Sequence, residues 1–275
     1  MKIGFENGNT VIMNIQNFNL SQILDCGQAF RWKNLYENTW EGIAFDKHLK
    51  VSQDGDSVIF HNTSLDEFYN IWYPYFDIER DYGKIVAALN DNEILKSAAE
   101  YGYGIRILKQ NSWEALCSFI ISQNNNIPRI KGIIERLCEN FGDKIDGGYA
   151  FPTAGKIAEL NIEDLAILRS GFRAKYILDA AKKVTDKVIN LSEISKMPTD
   201  IARKELTKIY GVGEKVANCT LLYGMGHINA FPKDVWIKRA INLLFGGELK
   251  ESQSEYAGII QQYIFFYARE TKLEI

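Results

Sequence analysis

The chain has 275 residues, close to twice the roughly 150 of a typical domain, so two domains are expected. Hydrophobic residues make up 46% and charged residues 24%, globular proportions that exclude collagen, coiled coil and a disordered chain. Net charge is −3, no apolar run approaches the ~18 residues of a membrane span, and Met1-Lys2-Ile3-Gly4-Phe5-Glu6 lacks the basic cap and apolar core of a secretory leader, so a soluble intracellular protein is expected.

In chain order, the first ~60 residues read as strands. Phe30 and Trp32 alternate with Arg31 and Lys33, and Val51, Val58 and Phe60 flank Asp54-Gly55, a tight-hairpin signal. Turn signals at Glu37-Asn38 and Asp46-Lys47 complete an antiparallel meander. From Leu65 the period turns helical, with Leu65, Phe68, Tyr69 and Trp72 on one stripe. After residue 100 nothing strand-like is expected. Helices are expected over 113–122, 128–140, 174–189, 200–209, 214–224, 234–245 and 254–269, most with Gly, Pro, Asn or Asp near their ends. The expected fold class is α+β, with an N-terminal antiparallel β-sheet domain and flanking helices over 1–100, then an all-helical domain over 101–275.

Cys26, Cys117, Cys138 and Cys219 form no Cys-x-x-Cys pair, so neither a zinc site nor an iron–sulfur cluster is signalled and four reduced thiols are expected. Residues 1–100 carry 8 basic and 15 acidic side chains, whereas residues 101–275 carry 24 and 20. Seven basic residues against four acidic ones fall within 199–240. A polyanion would therefore be met by the second part of the chain.

Within that region Ala202, Leu206 and Ile209 give one helix an apolar stripe, Gly211-Val212-Gly213 stops it, and Val216, Thr220 and Tyr223 begin a second. This is a helix-hairpin-helix. The two glycines permit a sharp turn with positive φ and leave amide N–H groups unhindered where a phosphate can dock, although a plain helix–helix turn has the same pattern. Lys215 falls one or two positions inside the second helix, where the positive end of the helix dipole disfavours an ammonium ion, so it is a candidate amine nucleophile. Cys219 lies four residues on, on the same face. Asp234, in Phe231-Pro232-Lys233-Asp234-Val235-Trp236, precedes the run Val235, Ile237, Ile241, Leu244 and is placed to cap a helix while staying ionised.

This constellation resembles the DNA glycosylases of the helix-hairpin-helix–Gly/Pro–Asp superfamily, and further segments resemble its 8-oxoguanine DNA glycosylase family. The resemblance puts Lys215 on the catalytic lysine and Asp234 on the essential aspartate. Cys26-Gly27-Gln28-Ala29-Phe30-Arg31-Trp32 looks like the family's Gly-Gln-x-Phe-Arg-Trp signature. It implies that the Gly27 carbonyl accepts a hydrogen bond from N7–H, a proton that 8-oxoguanine has and guanine lacks. Ser122-Gln123-Asn124-Asn125-Asn126-Ile127-Pro128-Arg129-Ile130 is similar to the triple-asparagine segment. Asn124 is thereby assigned to the space left by the flipped nucleotide and Arg129 to the opposite base. Gly171-Phe172-Arg173-Ala174 resembles Gly-Tyr-Arg-Ala, with Phe172 as the wedge and Arg173 hydrogen-bonding the opposite base. In Tyr256–Phe265 the resemblance gives Gln261 the base's Watson–Crick edge, with Phe265 and Cys219 on its two faces. Gly211 and Gly213 are implied to hold DNA phosphate. Gly258, Gln261 and Phe265 share one helical face, and a glutamine offers a purine edge both a donor and an acceptor.

Taken singly, Phe265 reads as core, Gln261 as a surface amide and the asparagines as a cap cluster; their conjunction carries the resemblance. Three positions depart from the family: Trp236 stands where a histidine is common, Ala268 where an aspartate is common, and Phe172 replaces tyrosine. The implied activity is a bifunctional glycosylase and AP lyase that excises 8-oxoguanine from double-stranded DNA through a lysine Schiff base. The implied protein needs no cofactor or metal beyond a structural cation at the hairpin, acts as a monomer without a membrane, and is cytoplasmic with the chromosomal DNA (nuclear in a eukaryote). A glycosylase for another damaged base and a non-catalytic DNA-binding module are the alternatives the residues leave open.

Overall fold

A computed structural model of the chain describes residues 1–271, so the last four residues of the expected helical domain, 272–275, lie outside the described residues. The chain divides into two compact units, one formed by residues 1–41, 49–109 and 228 onward, the other by 42–48 and 110–227. The expected division at residue 100 follows chain order; the units do not, because the last two long helices pack with the first part of the chain.

The N-terminal sheet has six strands, β1 (Lys2–Glu6), β2 (Asn9–Met13), β3 (Trp32–Tyr36), β4 (Thr39–Ala44), β5 (Lys47–Asp54) and β6 (Ser57–His61), in the order β1-β2-β6-β5-β4-β3. Two-residue turns with positive φ match the twist of the paired strands. Asn7 and Gly8 lie at φ 51 and 82, and Phe45 and Asp46 at φ 50 and 58. Two turns sit one residue from their expected places. Asp54 pairs with Ser57, leaving Gly55-Asp56 as the turn, and Lys47 begins β5 rather than closing the turn before it. Val51, Val58 and Phe60 are buried, as the alternation requires.

The first sixty residues are not all strand. Asn19 caps a short helix, α1 (Leu20–Leu24), by accepting from Gln22 N at 3.0 Å, and the loop after it carries Gly27. Next come α2 (Leu65–Glu67), a π-turn over Phe68–Trp72, α3 (Tyr73–Tyr75), α4 (Tyr82–Ala87) and α5 (Glu93–Tyr101). Of the expected stripe, Phe68 and Trp72 are buried while Leu65 and Tyr69 are exposed, since the π-turn shifts the helical phase. Trp32 fills the core among Trp72, Tyr75 and Phe76, and its indole N–H donates to Tyr75 Oη at 2.8 Å.

The second unit is mostly helical: α6 (Ser112–Ile121), α7 (Ile127–Phe141), α8 (Ala154–Ala158), α9 (Arg173–Thr185), α10 (Leu191–Ile194), α11 (Thr199–Leu206) and α12 (Glu214–Met225). It also holds a two-stranded hairpin, β7 (Lys144–Ile145) and β8 (Gly148–Tyr149), against the expectation of no strand past residue 100. Two-residue strands are too short to carry an alternation. Every residue of α12 from Val216 to Tyr223 is buried, the pattern of a central helix. It packs on α6, where Gly224 permits close approach: a Cβ there would lie 2.7 Å from Ala115 Cβ.

In the first unit, α13 (Val235–Phe245) and α14 (Ala257–Glu270) pack on each other, and α14 lies against α5, with Tyr101 in ring contact with Phe266 and Tyr267. Among the described residues no helix is long and apolar enough to cross a membrane.

Candidate active site

The helix-hairpin-helix is formed by α11 and α12. Ala202, Leu206 and Ile209 are buried as expected, and Val212 anchors the turn between the helices. The two glycines differ. Gly211 has φ 80, and a Cβ there would fall within the Tyr176 ring, so only glycine fits. Gly213 departs from the expected positive φ: it lies at φ −94 and ψ −179 as the N-cap of α12, with open space where a Cβ would be. One glycine makes the turn, and the other leaves the helix start bare, where unpaired N–H groups favour an anion.

Lys215 is the second residue of α12 and half-buried. Its Nζ donates to Ser122 Oγ at 3.1 Å and lies 5.5 Å from the Phe119 ring. Ser122 Oγ donates in turn to Phe119 O at 2.8 Å, so its lone pair faces the amine. Ser122 thereby aims the amine. It opens the Ser122–Ile130 segment, but a lone serine carries no signal that it would touch a lysine 93 positions away. Cys219 is buried one helical turn beyond Lys215.

Of the three asparagines, Asn125 Nδ2 donates to Ile121 O and Asn126 caps α7 by accepting from Arg129 N. Asn124 is exposed at φ 46, and its side chain makes no hydrogen bond among the described residues. Arg129 is exposed, its Nη2 3.5 Å from Arg169 O. Phe172 projects beside it, 45% exposed, and an open pocket here is lined by Arg129, Arg169, Phe172 and Lys175. Arg173 does not project with them. Its side chain turns inward to the carbonyls of Gln123, Asn124 and Ser170.

Gly27, Asp234, Gln261 and Phe265 belong to the first unit; Lys215, Cys219 and the Asn124, Arg129, Phe172, Arg173, Gly211 and Gly213 group belong to the second. Gly27 has φ 84, and both neighbours are anchored. Gln262 Nε2 donates to Cys26 O at 3.0 Å, while Gln28 Nε2 donates to Ile23 O and Arg106 O and Gln28 Oε1 accepts from Leu108 N. Gln261, 5% exposed, has an Oε1 that is buried without a partner. An orphaned amide oxygen of this kind is costly unless a ligand donor meets it. Phe265 follows one turn later, half-buried. Asp234 caps α13, its Oδ1 accepting from Ile237 N at 2.8 Å. Its other oxygen makes no hydrogen bond among the described residues. Val235, expected on the apolar face, is exposed beside Trp236.

Residues 117–264 match the family described as HhH-GPD superfamily base excision DNA repair protein, over more than half of the chain. The chain belongs to this superfamily of base excision DNA repair proteins. Residues 10–116 match the 8-oxoguanine DNA glycosylase N-terminal domain, which places the chain in the 8-oxoguanine branch. It is 32% identical over 253 residues to an N-glycosylase/DNA lyase of Saccharomyces cerevisiae, covering 80% of this chain and 66% of the yeast protein, just under two thirds of its length. It is 30% identical over 232 residues to a probable N-glycosylase/DNA lyase of Methanothermobacter thermautotrophicus, covering 72% of this chain and 74% of the relative. A solved structure of Clostridium acetobutylicum 8-oxoguanine glycosylase/lyase, in complex with double-stranded DNA containing cytosine opposite the lesion, is similar with a TM-score of 0.94 and 38% identity, covering 99% of both chains.

Proposed function

We propose that this protein is a bifunctional DNA glycosylase and AP lyase that excises 8-oxoguanine from duplex DNA and then nicks the strand. Its support is Lys215, an amine aimed by Ser122 at the bare start of a helix in the hairpin. Phosphates dock at the hairpin through Gly211 and Gly213, with most of the affinity from charge and therefore lost as salt rises. The lesion leaves the duplex at a cost of a few kcal/mol, Asn124 takes its place, and Phe172 and Arg129 meet the opposite base.

Lys215, as the neutral amine, bonds to C1′ of the sugar while the bond from C1′ to the base breaks and the base leaves with the electron pair. Asp234 steadies the positive charge that develops on the sugar and helps move protons. The nitrogen lone pair then expels O4′, which takes up a proton as the sugar ring opens. The resulting Schiff base makes the C2′ proton acidic, so that its removal expels the 3′ phosphate by β-elimination. Gln261 reads the base edge, and Phe265 and Cys219 stack on its faces. Gly27 O accepts from N7–H; with guanine two acceptors would face each other, which is repulsive. No step draws on a cofactor, and the hairpin carbonyls are left for a structural cation. The protein works where chromosomal DNA lies, in the cytoplasm or the nucleus.

The test is cleavage of duplexes carrying 8-oxoguanine, an alkylated purine or an oxidised pyrimidine, with borohydride added to trap the Schiff base. Release of 8-oxoguanine, with a trapped adduct in wild type and none in Lys215→Gln, is the expected result. An adduct at wild-type yield in Lys215→Gln would refute the nucleophile.

A further inference from the structure

One face of α9 seats the hairpin turn. Phe172, Tyr176, Asp179 and Lys183 recur at i, i+4, i+7 and i+11, so they form a stripe along the helix. The stripe runs beside the buried face, made of Ala174, Ile177, Ala180 and Ala181, and takes no part in it. Three of its members meet the segment between α11 and α12. A Cβ at Gly211 would lie 2.4 Å from the Tyr176 ring, and that ring stands edge-on to Tyr210, with centroids 5.0 Å apart. Asp179 Oδ2 accepts from the Tyr210 backbone N–H at 2.7 Å and from Lys183 Nζ at 2.9 Å. Lys183 Nζ also donates to Lys208 O at 2.8 Å. The Tyr210 amide and the Lys208 carbonyl lie past the last residue of α11, where backbone groups must find partners outside the helix.

We infer that Asp179 and Lys183 are positioning residues that hold the 208–211 turn in the shape that grips DNA phosphate. This rests on the proposed docking of phosphate at Gly211 and Gly213. The N–H groups of those glycines sit at and just beyond the clasp, and their direction follows from the turn that leads into them. The chemical step is insulated from it. Lys215 sits on α12, whose residues from Val216 to Tyr223 are buried, and its amine is held by Ser122 of α6. Loss of the clasp therefore falls on affinity and spares the rate of the bound complex. The sign of the effect separates this role from plain electrostatics. Asp179 is a carboxylate bonded one residue away from Gly211, so by charge alone its removal would tighten DNA binding. If it holds the turn, its removal loosens binding in spite of the lost repulsion.

The test measures Kd for a duplex carrying a tetrahydrofuran abasic analogue, and single-turnover excision of 8-oxoguanine at saturating enzyme. The proteins are wild type, Asp179→Ala, Asp179→Asn, Gly213→Ala and the double alanine variant. Thermal melts report any loss of folding separately, and Asp179→Leu replaces Asp179→Ala if that one does not fold. Asp179→Ala is expected to raise Kd about ten-fold, as for one lost hydrogen bond to a charged group, with the saturated rate unchanged within about two-fold. Asp179→Asn sheds the charge but keeps an acceptor for the Tyr210 N–H, so it is expected to bind at least as tightly as wild type. Amide exchange at Tyr210 is expected to quicken in Asp179→Ala and to stay slow in Asp179→Asn. In the Gly213→Ala background the Asp179→Ala change is expected to cost far less, because a methyl group already obstructs the grip. An unchanged or lower Kd in Asp179→Ala, equal losses in the alanine and asparagine variants, or a fall in saturated rate in place of affinity would overturn the inference. An unchanged Kd in Gly213→Ala would instead remove the phosphate role of the hairpin and the inference with it, and that single variant identifies the case separately.

Discussion

The side-chain amide of Gln262 donates to the carbonyl of Cys26 at 3.0 Å, joining two residues 236 positions apart. This bond fixes the peptide between Cys26 and Gly27, and the Gln28 side chain is held by Ile23 O, Arg106 O and Leu108 N, so the Gly27 carbonyl has little freedom of direction. The discrimination against guanine proposed for the Gly27 carbonyl would depend on that rigidity. Gln262→Met keeps the volume and removes the donor. It is expected to lower the ratio of 8-oxoguanine to guanine excision by about ten-fold, in keeping with the roughly 1–3 kcal/mol cost of a buried carbonyl left unpaired. Parallel time courses on the two duplexes measure it, and an unchanged ratio would mean the Cys26 bond is only structural.

Asp234 caps α13 and is proposed to act in catalysis, and a pair of substitutions separates the two roles. Asparagine caps a helix about as well as aspartate, so Asp234→Asn should melt near wild type, whereas Asp234→Ala should lose about 1 kcal/mol with the cap. Both should excise slowly, by about a hundred-fold or more, if the carboxylate steadies the developing cation as proposed, because neither carries its charge. Thermal melts together with excision rates check this. Near-normal excision by Asp234→Asn would leave the residue as a cap alone.

The hairpin glycines should respond unequally to alanine. At Gly211 the left-handed backbone and the Tyr176 ring both resist a Cβ, so Gly211→Ala should cost about 2 kcal/mol or more. Gly213 has ordinary φ and open space, and Gly213→Ala should cost under about 1 kcal/mol, from the poorer cap. Denaturant midpoints at constant m-value measure both, and equal losses would contradict the division of roles.

Acid should weaken the fold through His227. Its Nε2 donates to Ser195 O at 3.1 Å and its Nδ1 is hydrogen-bonded to Thr199 Oγ1 at 3.0 Å, contacts that the neutral ring satisfies in full. Burial lowers its pKa from 6.5, the Ser195 bond opposing in part. A depressed histidine binds fewer protons folded than unfolded, so its contribution is complete above pH 6.5 and is lost as pH falls below that value toward the folded pKa. His61, lowered by burial and by Lys50, adds in the same sense. The melting temperature is expected to drop from pH 7.5 to 5.5, and less steeply in His227→Gln; parallel slopes would rule out His227 as the source.

What the sequence made legible was local. Turn residues such as Glu37-Asn38 marked the meander, and the apolar spacing of Ala202, Leu206 and Ile209 marked the hairpin's first helix. Short elements escaped, because the five residues of α1 and the two-residue strands at 144–149 hold little more than one period each, too few to show a repeat. The Asp54-Gly55 and Asp46-Lys47 turns slipped by one residue, to Gly55-Asp56 and Phe45-Asp46, since an aspartate marks a turn without fixing which neighbour shares it. In the site, residue types with a fixed chemistry could be named in advance. The direction of Arg173, the aiming of Lys215 by Ser122 and the tether from Gln262 could not, because each joins side chain to a partner far along the chain.

That long tether also orders events on the ribosome. At roughly 5–20 residues per second, translation separates Cys26 from Gln262 by about ten to fifty seconds. Residues 110–227 emerge whole in that interval, while the stretch around Cys26 still lacks the helix that locks it. Lys215 is therefore translated before Asp234, Gln261 and Phe265, and a chain halted short of its last helices would hold the amine without the carboxylate and the base-contacting side chains proposed to work with it.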